Sequence, residues 1–405
     1  MTTFEKLISP LKDFLRLQGK EIDAKTGSRK LFFANFTETF LYSILMNYGS
    51  LRSIISNLKT DKTAKKLGFC AIPYSTFRDA FSRFESSYYK KLFLFIYQEF
   101  SWLSLDNLNE IGLFRLIDGS LFPCIKSVFW AEYKKTKNAI RLHLELDLNT
   151  MTVVEFLCQK ANSAERAFLI DICQKGFTYI ADRGYFSFDL ANFILNEKAF
   201  IIFRIKKNML FKREQKLEIT SLRKKIPIFF DDLLDQIIYF TNDPHENKYR
   251  LISFTITRTK FVICTNRFDL STLEIIMLYA YRWQIELFFK FLKRTMNGIH
   301  LFNHSENGVN IQFYCFMIVI LLQLRLKQIC QKKAQNCLEF KIQSYQKNKD
   351  LLESASQISS QKWIEDINQV FHISWKIGKH WLEQLRNLII EPFNQDIVEV
   401  LAQNH

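Results

Sequence analysis

The sharpest chemical pattern in the chain lies on one predicted helix, residues 271–296. Tyr279, Arg282, Glu286 and Lys293 follow one another at spacings of 3, 4 and 7. At about 100° per residue they fall within an arc of roughly 60°. The other faces carry Met277, Leu278, Tyr281, Trp283, Ile285, Leu287, Phe288, Phe291 and Leu292. A helix apolar nearly all round is a buried helix. A polar stripe on it must face a cavity or a partner, because an unpaired buried charge is costly. A carboxylate flanked by an Arg, a Lys and a Tyr hydroxyl suits a place that handles both metal and phosphate. The same spacing fits an internal salt-bridge seam, since Arg282 and Glu286 are an i, i+4 pair. Both readings stand on the helix alone.

Two aspartates add to it. Asp118 follows the apolar run from Phe114 to Ile117, and Asp182 follows the run from Phe177 to Ala181. Both runs read as short strands, which puts each carboxylate at a strand's carboxyl end, where α/β sheets bind ligands. An Asp-Gly pair after a strand is by itself an ordinary turn. Three carboxylates from two strands and a helix are a different arrangement. They can hold two divalent metals about 3.5 to 4 Å apart, one activating water or a 3′-hydroxyl and the other stabilising the leaving 3′-oxygen. Hard oxygen ligands favour Mg²⁺ or Mn²⁺ over zinc.

The elements around these residues divide the chain into three. Residues 1–108 read as helical. Within them Ser75 is a candidate N-cap, and Phe77, Ala80, Phe81 and Phe84 form a core stripe that leaves Arg78 and Arg83 pointing elsewhere. With Lys59, Lys62, Lys65 and Lys66 before it, this is either a DNA-reading helix after a turn or an amphipathic helix with a solvated basic face. Residues 109–330 read as an α/β domain. Strands are predicted at 114–117, 140–148 and 151–158, with a turn at Asn149-Thr150. A helix at 163–175, a strand at 177–181, a helix at 187–197 and a strand at 199–205 follow. Three strands, helix, strand, helix, strand is the order of a ribonuclease-H-like core with a mixed sheet. Residues 206–266 read as a β-rich insertion that opens on a basic run: Lys206, Lys207, Lys212, Arg213, Lys216, Arg223, Lys224 and Lys225. Strand-like stretches at 236–240, 249–257 and 260–265 follow it. Ser271-x-x-Glu274 fits a capping box opening the long helix. Another helix is expected at 310–327. Residues 331–405 read as a helical carboxyl-terminal tail with a Ser/Gln-rich break at 353–361.

Bulk properties agree with a nucleic-acid partner. The chain has 405 residues, a net charge of +15 and a pI near 9.3, so an acidic partner is expected, and nucleic acid is the commonest one. The eight Cys show no C-x-x-C spacing and read as core packing in a reducing compartment. The amino terminus has no signal-peptide pattern. The longest apolar run, residues 313–324, is too short to span a bilayer and reads as a buried helix. No Gly-rich phosphate loop and no internal repeat is present.

The pattern Y-x2-R-x3-E-x6-K, met by Tyr279, Arg282, Glu286 and Lys293, resembles the signature of the insertion sequence 4 family of DDE transposases. Ile117-Asp118-Gly119-Ser120 and Ala181-Asp182-Arg183-Gly184-Tyr185 are similar to that family's first and second aspartate motifs. Cys264-Thr265-Asn266, Lys293-Arg294 and Asn307-Gly308-Val309 also fit. The resemblance covers residues 110–325 well and the amino-terminal helices less specifically. It implies that Asp118, Asp182 and Glu286 are the catalytic, metal-binding triad for two Mg²⁺ or Mn²⁺ ions. It further implies that Tyr279, Arg282 and Lys293 grip DNA phosphates beside the scissile bond. Arg183 and Tyr185 are candidates for positioning DNA, with Arg183 equally able to pair with a carboxylate, and Arg78 and Arg83 are candidate DNA contacts. The implied partners are double-stranded DNA, as terminal inverted repeats and target, and a second copy of the chain in a synaptic complex. The implied place is the bacterial cytoplasm, at the nucleoid, with no membrane. Relatives cut and paste through a hairpin, with a flipped base stacked on an aromatic residue. The insertion here has no Trp, which leaves Phe229, Phe230 or Tyr239 for that task.

Two other functions share these features: a regulatory or inactive DNA-binding relative, and a nuclease of the same fold that cuts without joining. One further constellation imitates a metal site. His143, Glu145 and Asp147 alternate on one strand and share a face. The preferred reading there is a polar sheet face near the true site.

Overall fold

The computed structural model describes residues 8–345 apart from 28–29, 70–71, 101, 103–105, 135–136, 164, 220–230, 257–258 and 296–300. The described residues fall into two compact units.

Apolar residues recurring at three and four make the first unit helical. It contains α1 (Ser9–Thr26), α2 (Phe33–Leu45), α3 (Leu51–Thr60), α4 (Lys62–Lys66), α5 (Tyr74–Arg83) and α6 (Ser86–Glu99). Gly27 ends α1 in the left-handed conformation, φ 63°, where a glycine carries no steric penalty. The stripe predicted on α5 is fully buried. Phe77, Phe81 and Phe84 pack their rings against Phe36 at centroid distances of 4.9, 5.1 and 5.7 Å. Ser75 does not cap α5. The helix starts one residue earlier, at Tyr74, with Pro73 in the cap position and no side-chain cap.

The second unit is built on one ten-stranded mixed sheet. In chain order its elements are β1 (Leu113–Cys124), β2 (Glu132–Lys134), β3 (Lys137–Asp147), β4 (Thr152–Lys160), α7 (Glu165–Ile172), β5 (Phe177–Ala181), α8 (Phe188–Asn196), β6 (Phe200–Arg204), β7 (Phe211–Lys216), β8 (Asp231–Phe240), β9 (Lys248–Ile256), β10 (Thr259–Thr265), α9 (Thr272–Ala280) and α10 (Trp283–Thr295). The strand order is β2-β3-β1-β5-β6-β10-β9-β8-β7, with β4 also paired to β3. β1, β5 and β6 run parallel, and the other pairings are antiparallel.

Two expectations change here, and the insertion gains a place in the sheet. Asp118 does not end its strand: β1 continues to Cys124 in an antiparallel ladder with β3, where Asp118 faces Leu144. Its parallel pairing with β5, however, stops at Leu116–Ile180, so Asp118 lies just past the parallel part of the sheet. The β-rich insertion extends the core sheet. β10 pairs with β6, and β9, β8 and β7 extend the same sheet outward, with β7 formed by a basic, fully exposed stretch that lacked an apolar strand pattern. The long helix is broken. Arg282 N donates to the Tyr279 carbonyl at 3.0 Å and Gln284 N to the Tyr281 carbonyl at 2.9 Å. These tighter i to i+3 bonds separate α9 from α10.

Side-chain parity assigns the two sheet faces. Ile117, Tyr179, Ala181, Ile201 and Phe203 share a core with Phe168 and Leu169 of α7 and Leu190, Ala191 and Ile194 of α8. The alternate positions, including Asp118, belong to the opposite face, where α9 packs on β5 and β6 and α10 packs on β1.

The last described helix, α11 (Glu306–Tyr345), groups with the first unit and packs on α2, α5 and α6. Residue 330, the expected domain boundary, falls within it. Its segment Glu306–Leu326 is apolar enough by length and composition to cross a bilayer, and 78% of its most apolar stretch is buried. Asn307 explains part of the local motif. Its Nδ2 donates to the carbonyls of Phe81 and Phe84 at 2.7 and 2.8 Å, and its Oδ1 accepts from Ser86 N at 2.8 Å. The expected break at 353–361 lies outside the described residues.

Candidate active site

The sheet and the two-part helix bring the predicted residues of the second unit to one place. Asp118 is on β1 and Asp182 immediately follows β5. Both lie two residues beyond the last pair that joins these parallel strands. Tyr279 near the end of α9 donates to Asp182 Oδ1 at 3.3 Å. Arg282, in the turn between α9 and α10, pairs with Glu286 Oε1 at 2.6 Å and reaches Asp118 Oδ2 at 4.0 Å. The capping box that starts α9 is present: Glu274 N donates to Ser271 Oγ at 3.3 Å and Ser271 N to Glu274 Oε2 at 2.6 Å. It fixes the helix start, and the turn at 281–282 then sets the direction in which Glu286 leaves.

Electrostatics follow from burial. Burial pushes the Asp118 pKa up to about 7, against the lowering effects of Arg282 and the Gly119 N–H. Glu286 and Asp182 nearby push it further up. Burial alone would lower the Arg282 pKa, yet Tyr279, Glu286, Asp182 and Asp118 around it hold it above its usual value. Tyr279 is pushed up to about 12 by burial, so its hydroxyl stays a donor. Lys293 is exposed, over the Phe122 ring at 5.3 Å. Partial burial lowers its pKa and Asp118 raises it.

Among the described residues, no three His, Cys, Asp or Glu side chains are gathered closely enough to hold a metal ion as they stand. Arg282 stands between two of the three carboxylates instead. The donor set nevertheless fits a divalent cation. Three carboxylates gather around one guanidinium, and their oxygens are hard donors.

The remaining sequence candidates lie elsewhere. Arg183 is exposed and lines a cavity of about 340 Å³ with Phe186, Phe188, Lys206 and Met209. Aromatic walls with two cationic groups suit a nucleotide. Arg78, in the first unit, is folded onto its neighbour Asp79 at 2.9 Å. Arg83 donates to the Leu31 carbonyl at 3.2 Å and lies over the Phe84 ring. Tyr239 is a half-buried residue of β8, and Phe229, Phe230 and Arg223–Lys225 fall outside the described residues. The row of His143, Glu145 and Asp147 is buried, and Arg115 and Ser163 face it. Arg115 forms an ion pair with Asp147 at 2.5 Å and approaches Glu145 at 3.5 Å, and His143 Nε2 lies 3.2 Å from Ser163 Oγ.

Sequence reasoning passed over Glu165 and Arg141. They form a buried-edge ion pair beside Gly119 and Gly184. The signal for them was indirect: a glycine beside each aspartate motif leaves room for something.

Comparison with known proteins supplies the family context. The transposase DDE domain family matches residues 112–322. A Sinorhizobium fredii protein named as a transposase is 26% identical over 216 residues, covering 52% of this chain and 60% of its own length. A Geobacillus stearothermophilus protein named for insertion sequence element IS5377 is 24% identical over 56% of this chain and 60% of its own. A Synechocystis protein named for insertion sequence element IS4SA is 22% identical over 62% and 72%. The chain thus aligns with about 60% of the length of the first two relatives.

Proposed function

The chain belongs to the DDE transposase family, its transposase DDE domain spanning residues 112–322, and from that premise we propose that it is a cut-and-paste transposase of the insertion sequence 4 group with a ribonuclease-H-like core. The observation that carries this reading is the meeting of Asp118, Asp182, Glu286, Tyr279 and Arg282 on one sheet face. In the proposed mechanism Asp118, Asp182 and Glu286 hold divalent metal, Mg²⁺ or Mn²⁺. When bound, such ions supply an activated oxygen nucleophile and stabilise the leaving 3′-oxygen.

The chain's own groups do the rest. Tyr279 holds Asp182 by its hydroxyl. Arg282 exchanges its ion pair with Glu286 for a DNA phosphate, which frees the carboxylate, and Lys293 at the exposed rim offers a second phosphate contact. A guanidinium suits bidentate phosphate contact and an ammonium suits a point charge. Water attacks the phosphodiester at the element end, the phosphorus–3′-oxygen bond breaks, and the freed 3′-hydroxyl attacks a target phosphodiester. One phosphorus–oxygen bond forms for each one broken, so joining needs no external energy source. Arg183 beside its aromatic cavity, and Arg78 on α5, are proposed additional DNA contacts. Arg83 joins them only if it releases Leu31. Two ends must be cut together, which calls for a second copy of the chain.

The test is a cleavage assay on labelled DNA carrying the inverted repeats that flank the gene, with and without Mg²⁺. Cutting at the repeat boundary that requires metal and is lost in Asp118→Asn is expected. A variant that still cuts would remove Asp118 from the triad. Binding without cutting by the wild type would favour the regulatory reading, and cutting without strand transfer the nuclease reading.

A further inference from the structure

The carboxyl end of β6 carries a cation that the proposed chemistry does not use. Arg204 is the last residue of that strand. β6 runs parallel to β5, and the last register pair between them joins Ala181 to Phe203. Asp182 and Arg204 therefore each lie one residue beyond that pair, at the edge where α/β sheets receive ligands. They also share a face. Phe203 points into the core with α7 and α8, so Arg204 points to the opposite face, where α9 packs on β5 and β6. On that face the Tyr279 hydroxyl of α9 reaches Asp182 at 3.3 Å.

Two aromatic rings connect Arg204 to this contact. Its guanidinium lies over the ring of Phe261 of β10, 4.6 Å from the centroid. The Phe261 ring in turn meets Tyr279 edge-on, with 6.5 Å between centroids. Burial raises the Tyr279 pKa, and the charges of Arg282 and Arg204 both act against that rise. Phe261 is buried, whereas Arg204 is partly open to solvent. Among the described residues the Arg204 guanidinium has no ion pair and no hydrogen bond.

The two arginines of this face thus differ in state. Arg282 is held by Glu286 at 2.6 Å and has to give up that pair before it can take a phosphate. Arg204 has no carboxylate to give up. Stacking on an aromatic ring restrains a guanidinium and leaves its N–H edge open. A planar, permanently charged set of five donors in that state matches a phosphate, which it can hold through two parallel bonds. Past Ile205 the chain continues into Lys206 and Lys207, both exposed, so the positive edge extends beyond Arg204.

We infer that Arg204 is a phosphate-binding residue of the site: its guanidinium, laid on Phe261, takes the oxygens of a DNA phosphate on the Asp182 side, while Arg282 serves the Glu286 side. The inference rests on the reading of Asp118, Asp182 and Glu286 as the place where DNA is cut.

The experiment measures binding of the full chain to duplex DNA ending in the inverted repeat, by fluorescence anisotropy across a salt series without divalent metal. Neutral methylphosphonates replace, one at a time, the phosphates flanking the repeat boundary. Arg204→Met keeps an apolar stem over Phe261 and removes the charge. It is expected to bind about 10-fold or more weakly and to lower the slope of log affinity against log salt by about 0.9. One of the methylphosphonates is expected to weaken wild type by a similar factor and to cause no further loss in Arg204→Met. Unchanged affinity and slope in Arg204→Met, or losses that add at every neutralised phosphate, overturn the inference. Unchanged affinity beside a lowered Tm would leave Arg204 as a pin for Phe261 alone. Should Arg204→Met fail to fold, Arg204→Gln decides by the same criteria. A wild type that does not bind such ends, or whose affinity ignores every neutralised phosphate at the boundary, would instead sink the reading of the site, and the role of Arg204 with it.

Discussion

Glu145 carries a pH dependence that its neighbours do not cancel. Burial raises its pKa from an ordinary 4.5 to about 7, against the lowering effect of Arg115. The folded-state value lies above the unfolded one, so the stability linked to this proton is fully present below about pH 4.5 and is lost as the pH rises to about 7. Glu145→Gln removes the titration. Its stability relative to wild type is expected to improve by about 2–3 kcal/mol between pH 5 and pH 8, read from urea unfolding at both values. A constant difference across that range would mean that Glu145 is not buried as a proton-binding group. Arg282 teaches a related lesson. The seam that its spacing allowed is present, since it pairs with Glu286, and the same guanidinium lies 4.0 Å from Asp118.

At the scale of elements, the decisive features are junctions. The turn at 281–282 divides one predicted helix into two, and it places Arg282 where neither helix lies between it and Asp118. The insertion joins the sheet through β10 and β6, and its base is pinned by a buried ion pair, Arg250 Nη2 to Asp235 Oδ2 at 2.6 Å, with Thr272 of α9 donating to the same oxygen at 2.7 Å. In the helical unit the junction of α5 and α6 is satisfied by one side chain of α11. Asn307→Ala would leave two carbonyls and one N–H without their partner. A loss of about 2–4 kcal/mol is expected, read as a lower urea midpoint. Asn307→Asp keeps the acceptor but sets a carboxylate oxygen against both carbonyls, so it should be at least as destabilising as Asn307→Ala. An Asn307→Ala variant as stable as wild type would mean that water replaces all three bonds.

At the scale of the whole molecule, the net charge of +15 is an argument about partners rather than fold. Binding to inverted-repeat DNA is expected to weaken steeply with salt, by about 10³-fold or more between 50 and 200 mM if six or more phosphates are engaged. Lys293→Ala should reduce the slope of log affinity against log salt by about 0.9, the share of one phosphate contact. Fluorescence anisotropy across a salt series measures both. A slope unchanged in Lys293→Ala would place that ammonium away from the DNA backbone.

Periodicity and local chemistry sufficed for much of this protein. The strand at 177–181, the capping box at Ser271 and the core stripe of α5 are dictated by side chains within a few residues of each other, and the structure contains all three. The Tyr-Arg-Glu-Lys spacing and the two aspartate motifs were legible for the same reason. Tertiary structure decided what depends on partners distant in sequence. The reach of β1 past Asp118 comes from its ladder with β3. The strand character of the basic stretch 211–216 comes from pairing with β8, and the break at 281–282 from how α9 and α10 lie against different strands. The place of Glu165 beside Gly119 and Gly184 belongs here too. A glycine in the sequence shows that a side chain is missing, and only the fold shows which carboxylate fills the room it leaves.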